Sequence, residues 1–128
     1  MASLFIKRYY RSVLIGILIL WLSLSGGQSL VSGDFLNIPY VDKIGHFTMY
    51  ALFSAMLLLD SCLWQSGRSV RYVVLVIPVT FGALMEVFQY FLTTSRKAEA
   101  LDLLADILGI GAGVAGALAV RQILKKLR

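Results

Sequence analysis

His46, the single histidine of the chain, lies four residues after Asp42 and four before Tyr50, and Lys43 stands beside Asp42. Further on, Glu86 and Gln89 are three apart, and Asp102 and Asp106 are four apart. An imidazole near carboxylates can work as a general base, because the acid fixes its tautomer and raises its proton affinity. Arg96 adds a fork that would hold a phosphate or carboxylate through two bonds. One nitrogen and several oxygens would also suit zinc or a harder divalent cation. No HxxxH or HExxH places two ligands on one helix, so metal binding is the lesser reading, and no metal or cofactor is expected. No serine or cysteine sits in a nucleophile motif, and the one cysteine, Cys62, reads as a packing residue.

These groups occur in a chain that is 59% hydrophobic and 15% charged over 128 residues, with mean hydropathy +0.81. That excess of apolar residues exceeds what a soluble domain of this length buries. The expected fold is all-α, a transmembrane four-helix bundle forming a single domain over residues 1–128. Spans are expected at about residues 9–28, 43–64, 72–92 and 101–120. The first resembles a signal peptide, but it lacks a convincing cleavage site and reads as an uncleaved anchor. Gly26 and Gly27, then a polar stretch ending at Pro39, break the first span from the second. Residues 65–71 form a tight connection, Pro78 falls about a turn into the third span, and residues 93–100 form the next loop. In the fourth span Gly109 and Gly113 make a small-xxx-small pair that lets a neighbouring helix backbone come close.

A net charge of +5 suggests nucleic acid only if the charge is gathered on one face, and here it sits at the ends of apolar runs. Nine basic residues fall on one side of the four-span arrangement and three on the other, namely Lys43, Arg96 and Lys97. The excess of basic residues puts both termini in the cytoplasm of a multi-pass protein in the cell membrane. Asp42, Lys43, His46, Tyr50, Glu86, Gln89, Arg96, Asp102 and Asp106 then share the outer ends of three helices. Their helical spacing gives each set one stripe. Placing ionisable side chains in hydrocarbon costs on the order of 2.5 to 3.5 kcal/mol each, so the stripes should face the bundle interior.

Structural roles compete with functional ones at each position. Asp42 complements the positive end of a helix dipole, and Lys43 reaches the interface. Asp102 can cap the fourth helix or pair with Arg96 or Lys97. His46 can be an interhelical strut, and Glu86 can belong to a buried ion pair with Lys43 or Arg96.

The ordered set Asp42-Lys43-x-x-His46-Phe47-x-x-Tyr50, Glu86-x-x-Gln89, then Arg96 and Asp102-x-x-x-Asp106-x-x-Gly109-x-x-x-Gly113 resembles the VanZ-like family of small membrane proteins. The resemblance runs from about Pro39 to Gly113. It departs at Asp106, where the family usually carries Asn, which adds a carboxylate. It implies an accessory protein of the cell envelope associated with resistance to the glycopeptide teicoplanin.

Two functions follow as expectations. One is a non-enzymatic membrane accessory protein whose outward pocket binds a lipid head group, a cell-wall precursor or a partner. The other is a small membrane enzyme using His46 and Glu86 as acid and base on a lipid-linked substrate. The bilayer is the constant partner, and nucleic acid is not one. Ion-coupled transport would need a homo-oligomer, because four spans without an internal repeat do not make a pathway.

Overall fold

Breakers in the sequence delimit four helices in the computed structural model, which describes residues 2–25, 40–61, 68–92 and 99–127. They are α1 (Ala2–Leu24), α2 (Val41–Asp60), α3 (Arg68–Leu92) and α4 (Ala100–Lys126). The described residues contain no strand. Two helical segments, Val74–Leu92 and Ala100–Lys126, are long and apolar enough to cross a membrane.

Several helix limits differ from the expected span limits. Helix α3 starts at Arg68, inside the expected connection. Pro78 is consequently roughly three turns into the helix rather than one, and the carbonyl it leaves without a donor belongs to Val74. Helix α4 runs on to Lys126, beyond residue 120, because Arg121, Gln122, Leu124 and Lys125 are strong helix formers. Lys125 and Lys126 in its last turn also complement the negative end of the dipole. Gly26, Gly27, Pro39, Cys62, Arg96 and Lys97 lie outside the described residues.

Side-chain contacts give the direction of packing. His46 meets Asp106, and Ser54 Oγ donates to the Ile110 carbonyl at 3.2 Å, so α2 and α4 run parallel. Arg11 and Ser12 of α1 meet Asp60 at the far end of α2, and Gly16 lies against Phe53, so these two helices are antiparallel. Gln89 of α3 donates to the Ser23 carbonyl of α1 at 3.4 Å. The result is an up-down-up-down arrangement with the start of α1 and the end of α4 on one side.

The tightest pair is α2 with α4, and glycine makes it so. A Cβ at Gly109 would collide with the Phe47 carbonyl, and one at Gly113 with the Ala51 carbonyl and Ser54 Oγ. Backbones this close gain dispersion contacts that no larger residue permits. Ile19, Tyr50, Phe53, Met85 and Ile110 form the apolar core beside that seam.

At the other end of the bundle, Asp60 is buried and accepts from three groups of α1. Arg11 reaches Oδ1 at 2.6 Å, while Ser12 gives Oδ2 its amide at 3.0 Å and its hydroxyl at 2.8 Å. Helix α1 is kinked at Tyr9 (φ −108°, ψ 17°). The Ser12 amide thus falls in the first turn of the segment after the kink, where an amide lacks an acceptor in its own helix. Sequence reading assigned Asp60 no role, since its partners come from a different helix 48 and 49 residues away.

Candidate functional site

Three helices carry polar groups to one depth. His46 lies five residues into α2, Asp106 six into α4, and Glu86 six before the end of the antiparallel α3. At 1.5 Å per residue each is roughly 8 to 9 Å from its helix end. The shared depth follows from sequence position plus the up-down order of the helices.

The rim is an ion network. Lys43 Nζ lies 2.8 Å from Glu99 Oε2 and 3.0 Å from Asp102 Oδ1, tying α2 to the start of α4. The ammonium holds the exposed Glu99 carboxyl below its usual carboxylate range. Asp102 is buried, so the lysine supplies the counter-charge that makes its burial tolerable.

Beneath the rim, His46 (2% exposed) bonds through Nδ1 to Asp106 Oδ1 (1% exposed) at 2.9 Å. An ionised carboxylate only accepts, so in that pairing Nδ1 donates to Asp106. Tyr50 lies parallel to the imidazole, with ring centroids 6.5 Å apart. Glu86 (9% exposed) accepts the Glu99 amide on Oε2 at 3.2 Å.

Among the described residues, four buried polar atoms in this cluster have no hydrogen-bond partner: His46 Nε2, Tyr50 OH, Glu86 Oε1 and Asp106 Oδ2. Buried polar groups are nearly always paired, so four together single out this chamber between the helices as the candidate site. Gly82 of α3 closes over it. A Cβ there would stand 3.0 Å from Asp106 Oδ2 and 3.3 Å from the Tyr50 ring. Gly82→Ala is expected to crowd the carboxylate and leave the fold intact. The measurement is ligand or ion retention against melting temperature, and retention at the wild-type level would remove Gly82 from the site.

Of the sequence candidates, the structure brings Asp42, His46 and Asp102 into one group and His46, Glu86 and Asp106 into another, each with donor atoms within 4.8 Å of one another. Tyr50 joins the second group through its ring. Lys43 belongs to the rim and pairs with Asp102 and Glu99, not with Glu86 as the ion-pair reading had it. Gln89 is a strut to α1. Gly109 and Gly113 set the α2–α4 distance. Arg96 falls outside the described residues. Glu99 was missed. Its signal is a carboxylate just before the α4 start, within reach of a lysine on α2, and the sequence does not state which helix ends are neighbours.

Comparison with family models, curated proteins and solved structures finds no match to this chain. The functional reading therefore stands on the chamber.

Proposed function

We propose that the chain is a multi-pass membrane accessory protein of the VanZ-like type, with both termini cytoplasmic. Its chamber opens toward the outer face and binds the polar head group of a lipid or a lipid-linked cell-wall precursor, changing how envelope components are presented. The observation that carries this is the set of four unpartnered buried polar atoms converging from α2 and α3 with α4. Membrane placement draws support from an inverted surface: His46, Ser54, Asp60, Glu86, Gln89 and Asp106 are buried, while Leu14, Ile17, Trp21, Leu52, Leu108 and Ile123 are exposed. A surface so apolar is unsuited to water and suited to lipid.

Topology is tested by reporter fusions. Fusions after Leu30 and after Ser95 are expected to read external and one after Gly67 cytoplasmic, from the nine-to-three basic asymmetry. The reverse pattern would turn the chamber inward and remove the head-group reading with it.

Ligand binding is tested in purified protein by native mass spectrometry against phosphatidylethanolamine, phosphatidylglycerol and an undecaprenyl-linked precursor. Glu86→Gln keeps the shape and one accepting oxygen but removes the charge. The variant is expected to reach normal membrane abundance and to lose both lipid retention and any glycopeptide phenotype the protein confers. Normal abundance with unchanged retention rejects the functional role of Glu86.

The His46–Asp106 pair favours a second reading, a small membrane enzyme with acid-base chemistry at His46 and Glu86. Turnover of the retained lipid by the wild type, lost in His46→Gln, would select it over simple binding.

A further inference from the structure

Among the described residues the chamber gathers more acidic than basic side chains. Glu86 and Asp106 bring two carboxylates to one buried place, and Lys43, the nearest described ammonium, is already bonded to Glu99 and Asp102 at the rim. With both carboxyls ionised and the imidazole neutral, as metal ligation requires, the inner group would carry two negative charges. Burying two uncompensated carboxylates is strongly unfavourable. Among the described residues the group leaves His46 Nε2, Glu86 Oε1 and Asp106 Oδ2 without partners, and the Gly82 backbone packs directly against the Asp106 carboxylate.

We propose that the chamber binds one divalent metal ion of the zinc, manganese or iron(II) kind, held by His46, Glu86 and Asp106. Three observations converge on it. One donor atom from each of the three lies within 4.8 Å of the others. Two carboxylates and a neutral imidazole balance a charge of two. The unpartnered atoms of Glu86 and Asp106 are carboxyl oxygens, which a cation satisfies and a hydrogen-bond acceptor does not. An imidazole in the set selects these metals over calcium or magnesium, which take oxygen alone.

Ions of this class sit at about 2.0 to 2.2 Å from nitrogen and oxygen, so donors 4.8 Å apart close on the ion with side-chain shifts of about 1 Å. The outer group, Asp42 with His46 and Asp102, is the weaker candidate. Asp42 is exposed and the Lys43 ammonium lies 3.0 Å from Asp102, where it repels a second cation. Three protein ligands leave a coordination position for an oxygen of the head group. The metal thus rests on the chamber being a binding site and states how that site takes a phosphate-bearing head group.

Full-length protein in detergent micelles is stripped with chelator, dialysed against Zn²⁺ or Mn²⁺ at micromolar concentration, and its metal content measured by plasma mass spectrometry. The expected result is about one ion per chain, with apparent affinity lowered at least about tenfold in Glu86→Gln and in Asp106→Asn. Co²⁺ loading needs no variant, and visible bands of nitrogen and oxygen ligation are expected from it. Content below about a tenth of an ion per folded wild-type chain overturns the proposal. So does loss of the ion in Asp42→Asn with retention in Glu86→Gln, which moves it to the outer group. Lipid capture measured with and without chelator separates the two readings. Capture that survives chelation overturns the metal and leaves the head-group site standing. Metal retained without lipid capture supports the metal and overturns the head-group site.

Discussion

Gly113→Leu is expected to unfold the α2–α4 seam, lowering stability by about 3 kcal/mol or more, while Gly111→Ala in the same helix is expected to raise it by up to about 1 kcal/mol. The two glycines are two residues apart and face opposite circumstances. At Gly113 any Cβ meets the Ala51 carbonyl and Ser54 Oγ, and backbone cannot move aside as a flexible side chain can. At Gly111 nothing lies within 4 Å, so the methyl only improves helix propensity. Losing the seam also separates His46 from Asp106, so Gly113→Leu should abolish the proposed binding at the chamber at temperatures where the wild type is folded. Thermal denaturation in detergent by circular dichroism, followed by size-exclusion chromatography, reads both effects. Equal melting temperatures for Gly113→Leu and the wild type would show that α2 and α4 are not held by this contact.

The second large effect is at the other end of the bundle. Asp60→Ala is expected to cost about 3 kcal/mol, the low end of the range for breaking a buried ion pair. The low end applies because the Arg11 side chain is 46% exposed and can turn outward. The Ser12 amide and hydroxyl have no such escape and lose their acceptor in a buried place. Replacing both charges, Arg11→Met with Asp60→Leu, should recover part of the loss, because apolar side chains pack where the ion pair stood while the Ser12 amide stays without its acceptor. Melting temperatures of Arg11→Met, Asp60→Leu and the double variant form a cycle that isolates the pair. A double variant no better than Asp60→Ala would mean that the Ser12 bonds alone carry the effect of Asp60.

These two sites show where sequence reading reached and where it stopped. The helical class follows from apolar runs of span length separated by Gly, Pro and charged stretches, because backbone groups without water must bond within a helix. Gly109 and Gly113 were legible as a close-packing pair from their spacing, since residues four apart lie on one face. The same periodicity placed Asp42, His46 and Tyr50 on one stripe and Asp102 with Asp106 on another. By contrast, the α1–α2 clasp at Asp60 was illegible: an aspartate at the end of an apolar run looks like an interface residue until the kink at Tyr9 brings the Ser12 amide to it.

The sequence by itself determined that this is a helical chain with an apolar exterior, with ionisable residues gathered near one end of three helices and a glycine pair made for close approach. Tertiary structure alone decided the partners. His46 took Asp106 and Lys43 took Asp102 with Glu99, while Gln89 was drawn to α1. The physical reason is that periodicity fixes which residues share a face of one helix, whereas a hydrogen bond between helices depends on their relative rotation and sliding. A helix turns 100° per residue, so a shift of one residue exchanges one partner for another. The contacts of Gly109 with Phe47 and of Gly113 with Ala51 hold α2 and α4 in the register seen, because a Cβ at either position would collide with the facing backbone.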